Sequence, residues 1–96
     1  MADLHMTKTR QLVLGALLNA PGELYLSEVA ELSGVPAGSA DRALVDLLRH
    51  GFLESRHEAP GVRAGRPRRY YRLTPEGARR VRDLLYGSDG DGRTTG

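Results

Sequence analysis

The chain has 96 residues, which is enough for one small domain, and it contains neither cysteine nor tryptophan. The absence of cysteine excludes disulfides, thiolate metal sites and thiol catalysis. The net charge is +2, no apolar run approaches the ~20 residues that a membrane-spanning helix needs, and the N-terminus lacks the basic region and apolar stretch of a secretory signal.

Charge is distributed unevenly along the chain. Residues 1–55 hold four basic and seven acidic residues, residues 56–82 hold nine arginines and two acids, and residues 83–96 hold one basic and three acidic residues. A positive charge concentrated in one segment indicates a polyanionic partner. The alternative is a basic loop that is solvated and has no partner.

The first part of the chain predicts a helix, a short strand and a second helix. Residues 6–19 have the broad apolar face of an amphipathic helix. Residues 23–26 are extended, as in an edge strand. Ser27 is a typical cap for the second helix, and Gly34 ends it because glycine readily adopts the left-handed C-cap conformation.

Residues 37–50 predict a third helix with two distinct faces. Apolar residues recur at helical spacing on one face: Ala40, Leu44, Leu47 and Leu48. Polar residues recur on the opposite face: Ser39, Arg42, Asp46 and Arg49.

The next segment predicts an antiparallel hairpin followed by a last helix. Residues 52–57 and 67–73 are strand candidates, and the loop between them contains proline and glycine and is strongly basic. Thr74 is placed to cap the last helix over residues 75–86.

The predicted element order, helix-strand-helix-helix-strand-strand-helix, is that of a winged helix-turn-helix domain, mainly α with a small β-hairpin. We predict this domain over residues 6–86. Residues 1–5 are expected to form a flexible arm. Residues 87–96 contain no apolar residue and are expected to be a disordered tail.

The third helix would be the recognition helix, whose N-terminal end faces base edges in the major groove of DNA. Ser39 and Arg42 lie at that end, and an arginine can bind guanine with two hydrogen bonds. The alternative for Arg42 is an ordinary exposed residue or a partner of Asp46. Asp41 and Asp46 would repel phosphate unless Arg42 or Arg49 neutralises them.

The basic loop would be the wing of such a domain. Four arginines within seven residues suit DNA phosphates or a narrow minor groove. Lys8 and Arg10 of the first helix are also placed to bind phosphate. Tyr70 and Tyr71 are expected to pack within the wing and the core. The predicted DNA-binding residues are Lys8, Arg10, Ser39, Arg42, Arg49, Arg63, Arg66, Arg68 and Arg69.

The residue pattern does not predict an enzyme. The three histidines, His5, His50 and His57, are too scattered for a metal site, and no phosphate-binding glycine loop or nucleophile-base set is recognisable. We therefore expect no catalytic residues, no bound metal and no cofactor.

Residues 66–77, with the sequence Arg-Pro-Arg-Arg-Tyr-Tyr-Arg-Leu-Thr-Pro-Glu-Gly, resemble the wing-to-last-helix motif of PadR-like winged-helix transcriptional regulators. Residues 43–54 resemble the end of their recognition helix and their first wing strand, a pattern shared with MarR-like and ArsR-like regulators. The resemblance implies a homodimeric DNA-binding regulator, usually a repressor, with its wing on the DNA backbone. PadR-like proteins usually carry further C-terminal dimerisation helices, and the sequence resembles a short form without them.

The expected partners are double-stranded DNA and a second copy of the chain, joined through the first and last helices. We expect a cytoplasmic, nucleoid-associated protein with no membrane partner, and the sequence does not identify an effector. Two alternatives stay open: a winged-helix module that binds a protein, and a plasmid or phage accessory factor that binds DNA.

Overall fold

The computed structural model describes residues 4–62 and 64–86. Its elements are α1 (Lys8–Asn19), β1 (Leu24–Tyr25), α2 (Leu26–Ser33), α3 (Ala37–Arg49), β2 (Leu53–His57), β3 (Arg69–Leu73) and α4 (Pro75–Tyr86). This order confirms the predicted winged helix-turn-helix fold. The predicted tail, residues 87–96, and residues 1–3 of the predicted arm lie outside the described residues.

The three strands form one antiparallel sheet in the order β1-β3-β2. β2 and β3 make the predicted hairpin, whose register places Leu53 opposite Leu73 and His57 opposite Arg69. The wing is the loop between these two strands, and its root is the place where the loop leaves them, next to His57 and Arg69. β1 adds to the free edge of β3, where Tyr25 lies opposite Tyr70. The short β1 therefore fixes the start of α2 beside the root of the wing.

The cap of α2 differs from the prediction. The helix begins at Leu26 and its N-cap is Tyr25, not Ser27. Tyr25 keeps the extended backbone of β1, and its N–H donates to the Glu28 carboxylate at 3.0 Å. Because the glutamate reaches back to the cap residue, the helix begins without a serine cap. Gly34 ends α2 in the left-handed conformation (φ +74°), as predicted.

The core lies where the four helices meet the inner face of the sheet. Phe52, between α3 and β2, is almost fully buried, and Leu4 and Met6 ahead of α1 are partly buried against the core. The other large side chains with almost no exposure are Val13, Leu14, Val29, Leu44, Leu47 and Val81. Burial of these side chains from every helix fixes α3 against α1 and α2, and leaves its polar face outward.

Candidate nucleic-acid interface

The N-terminal half of α3 presents its polar face to solvent. Ala40, Ala43 and Leu44 are buried, whereas Ser39 and Arg42 are exposed. Arg42 forms no ion pair with any residue of the segments 4–62 and 64–86. Ser39 and Arg42, both predicted to contact bases, are therefore accessible to a ligand. They lie at the end of α3 that would enter a major groove.

Asp46 is neutralised from α1. The Arg10 guanidinium donates to the Asp46 carboxylate at 2.8 Å, and the two side chains are 20% and 27% exposed. The sequence pattern had pointed to Arg42 and Arg49 as partners for Asp46, because the helical repeat shows only neighbours on the same helix. Arg10 also donates to the carbonyl of His5, so it ties the start of α1 to the middle of α3.

The same ion pair borders a cavity of about 600 Å³ between the start of α1 and α3. Thr9, Ser39 and Arg42 are among its other lining residues. Lys8 is exposed at the first position of α1. Arg10, one of the two predicted phosphate contacts of α1, thus lies next to the predicted base-contacting residues of α3, whereas Lys8 lines a separate groove between α1, α2 and α4.

The Arg10–Asp46 pair gives a testable pH dependence. The hydrogen bond from Arg10 lowers the pKa of Asp46 below its ordinary value. A carboxyl group with a lowered folded-state pKa stabilises the fold above its unfolded pKa, and this contribution is lost as pH falls through the folded pKa. We expect Asp46→Asn to make the free energy of unfolding fall less steeply with acidification.

Urea unfolding from about pH 7 down to about pH 2 measures this dependence. Asp41→Asn is the matched control, because it removes a carboxylate from the same helix without breaking an ion pair of the described residues. An Asp46→Asn profile that parallels the wild-type profile would contradict the prediction.

The wing arginines differ in their exposure and in their neighbours. Arg66 is exposed in the wing loop, and Arg63 lies outside the described residues. Arg69 is exposed at the start of β3, where it lies opposite His57. Arg68 lies partly buried at the wing root, with its guanidinium carbon 3.9 Å from the centre of the Tyr25 ring.

The wing root and the recognition helix border a shared groove of about 500 Å³, here called the wing groove. Arg68 and Arg69 line it from the wing, and Ala37 and Asp41 line it from α3. Tyr25, Leu26 and Ser27 line it from the start of α2. The predicted recognition helix and two predicted phosphate contacts therefore border one surface.

Other arginines of the basic segment are engaged elsewhere. Arg56 forms a two-pronged ion pair with Glu23, with contacts of 2.8 to 3.0 Å, and its hydrogen bonds lower the pKa of Glu23. Arg72 donates to Glu54 at 2.6 Å across the strands. These pairs lie on the outer face of the sheet, so the charge of residues 56–82 overstates the basic surface near α3.

Glu58 links the two sides of the wing at its root. Its N–H donates to the carbonyl of Arg68 at 2.7 Å, and its carboxylate accepts from the N–H of Arg68 at 3.3 Å. The Tyr70 hydroxyl also donates to this carboxylate, at 3.4 Å. This role of Glu58 was not predicted, although an acid placed among the wing arginines is a signal for it.

Two further observations bear on function. Within residues 4–62 and 64–86, no three His, Asp or Glu side chains gather as a metal site would require. Over the same residues, every helix is too short or too polar to cross a bilayer.

Comparison with known proteins agrees with this geometry. Residues 12–57 match the IclR helix-turn-helix domain. An uncharacterized protein of Methanocaldococcus jannaschii is 34% identical over 70 residues, which are 73% of this chain and 55% of the relative. The chain therefore spans about half the length of that curated relative.

Two solved structures are similar over most of the chain. The PcaV transcriptional regulator of Streptomyces coelicolor is 30% identical with a TM-score of 0.70, and the match covers 88% of this chain and 56% of PcaV. Bacillus subtilis PadR in complex with operator DNA is 21% identical with a TM-score of 0.69, and the match covers 84% and 48% of the two chains. The matches agree with a winged helix-turn-helix domain of the kind found in transcription regulators, and they do not single out the PadR-like family.

Proposed function

We propose that this chain is a sequence-specific double-stranded DNA-binding transcription regulator that acts as a homodimeric repressor of the PadR-like type. The observation that carries the proposal is the wing groove, because it joins the exposed half of α3 to arginines of the wing root. The match to a helix-turn-helix domain supports the same reading.

In this proposal α3 enters the major groove and the wing lies on the backbone or in the minor groove. Ser39 and Arg42 read base edges. The surrounding basic residues bind phosphate, namely Lys8, Arg10, Arg49, Arg63, Arg66, Arg68 and Arg69. PadR, a neighbour that shares the fold, was solved in complex with operator DNA, which supports DNA binding by this fold.

A mobility-shift titration on random-sequence duplex tests the proposal. We expect a retarded complex at about 50 mM salt, with an affinity that falls steeply with salt because four to six phosphate contacts per subunit give a slope of about −4 to −5 for each bound subunit. No complex at that salt concentration would contradict DNA binding and favour the protein-binding alternative.

The proposed dimer uses an apolar groove of about 570 Å³ between α1, α2 and α4. Leu12, Leu32 and Leu85 line it, and they are 40%, 62% and 37% exposed in the single chain. A domain this small buries little apolar surface, and a second copy would cover these leucines. Sedimentation of the full chain should show a dimeric mass, and a monomeric mass would contradict this part of the proposal.

The second candidate is a winged-helix module that binds a basic protein. Asp41 favours it, since this exposed carboxylate lies on the polar side of α3 and forms no ion pair with the described residues. Asp46 does not favour it, because Arg10 neutralises its charge.

A further inference from the structure

We propose that Tyr25 is a positioning residue that holds the Arg68 guanidinium for a DNA backbone phosphate between the two grooves that α3 and the wing occupy. The inference rests on the proposed function and deepens it, since it assigns a role to a residue outside the predicted interface and gives Arg68 a defined target.

Tyr25 and Arg68 are brought together by the fold, 43 positions apart in the sequence. Pairing of β1 with β3 places Tyr25 opposite Tyr70, and the two rings meet edge to face with their centres 5.8 Å apart. The Arg68 guanidinium lies over the Tyr25 ring at 3.9 Å, and Arg56 lies over the Tyr70 ring at 4.8 Å. Two tyrosines are thus packed between two arginines in a row that crosses one face of the sheet from β1 to β2.

The backbone of Arg68 is fixed independently of its side chain. Glu58 hydrogen bonds both the N–H and the carbonyl of Arg68. The ring of Tyr25 then selects one placement of the guanidinium. A guanidinium held over the face of an aromatic ring still has N–H groups that are able to bind a phosphate.

The location of this guanidinium indicates its target. A helix in the major groove and a wing in the neighbouring minor groove are separated by one sugar-phosphate strand. Arg68 lies at the wing root and lines the wing groove together with Ala37 and Asp41 of α3. Asp41 would repel a phosphate here, so a cation held at a constant position has to offset its charge.

The stacking also reduces the entropic cost of binding. An exposed arginine loses side-chain freedom when an interface immobilises it, and this loss weakens binding. Stacking on Tyr25 restricts the side chain before DNA arrives, and Tyr25 itself does not have to touch DNA. The predicted signature is that the effect of Tyr25 on binding depends on Arg68.

A double-mutant cycle on the full chain tests this signature, with Tyr25→Leu, Arg68→Ala, the double variant and Tyr25→Phe. The probe is a duplex selected from a random pool. We expect Arg68→Ala to weaken binding and to reduce the salt slope by about 0.9 for each bound subunit. Tyr25→Leu should weaken wild type but leave the Arg68→Ala variant unchanged, and Tyr25→Phe should bind like wild type because it keeps the ring.

A merely structural role of Tyr25 gives a different result. If Tyr25 only supported the fold, Tyr25→Leu would weaken the Arg68→Ala variant as much as it weakens wild type, and this outcome would overturn the inference. Circular dichroism of each variant reports whether it is folded. Wild-type chain that fails to bind duplex DNA would overturn the proposed function and this inference with it, whereas additive variants of a binding wild type overturn the inference alone.

A second measurement holds even if Tyr25→Leu does not fold. Duplexes in which one phosphate at a time is replaced by a neutral methylphosphonate locate the phosphates that the protein contacts. Wild type should lose affinity at a phosphate between the major-groove and minor-groove contacts, and Arg68→Ala should be insensitive at that position. Equal sensitivity of the two proteins at every phosphate would contradict the inference.

Discussion

Gly77→Ala is expected to destabilise the fold by about 2–3 kcal/mol and to lower the melting temperature by roughly 10–20 °C. The reason is steric. A Cβ atom at this position in α4 would lie 2.1 Å from the backbone oxygen of Phe52 and 2.8 Å from its Cα and carbonyl carbon. These are backbone atoms beside a buried side chain, so they cannot rotate away as a flexible side chain would.

The start of α4 is fixed at this contact. The Thr74 N–H donates to the Phe52 carbonyl at 3.0 Å, and the Thr74 hydroxyl accepts from the Gly77 N–H at 2.9 Å. The helix therefore cannot move outward to make room for a methyl group without losing its cap. Thermal unfolding followed by circular dichroism measures the loss of stability.

Gly15→Ala is the matched control for Gly77→Ala. Gly15 also lies inside a helix, α1, but a Cβ atom there would meet nothing within 4 Å. Because alanine is the better helix former, this change should raise stability by up to about 1 kcal/mol. A Gly77→Ala protein that melts at or above the wild-type temperature would show that α4 is not packed as described.

The comparison of these glycines shows what the sequence could predict and what it could not. Helical periodicity, the Thr74 cap and the hairpin pattern predicted the order of the elements and the bounds of α4. Nothing in that pattern distinguishes Gly15 from Gly77, because the difference is the distance to a residue 25 positions away. Local patterns describe a segment, whereas close approach depends on tertiary packing.

In the candidate site, too, local patterns predicted some residues, whereas contacts between distant segments were not predicted. Ser39 and Arg42 were predicted from the two faces of a single helix, and the structure leaves both exposed. The partner of Asp46 was not predicted, because Arg10 lies on another helix 36 positions away. Tyr25 was missed for the same reason, since its contact with Arg68 depends on the pairing of β1 with β3. Charge counting located the basic segment but did not separate its arginines by surface.

Arg42→Ala is expected to lower affinity for a selected duplex by about 1–3 kcal/mol, roughly 5- to 150-fold, and to relax the preference at one base pair. The exposed Arg42 lies on the polar face near the start of α3, where a bidentate contact with guanine is possible. Affinity for random duplex should fall much less, because non-specific binding depends on phosphate charge. Binding titrations with both duplexes at several salt concentrations measure the two effects.

Two further variants make this test specific. Arg82→Ala removes the same charge from the exposed side of α4, outside the wing groove and the cavity between α1 and α3. This variant should bind the selected and the random duplex with close to wild-type affinity. Arg66→Ala in the wing should weaken binding of the selected and the random duplex alike and reduce the salt slope by about 0.9 for each bound subunit. Arg42→Ala and Arg66→Ala could instead change the preference between the two duplexes equally. In that case α3 would not be the element that recognises the base sequence. The assignment of base contacts to the helix and phosphate contacts to the wing would then be wrong.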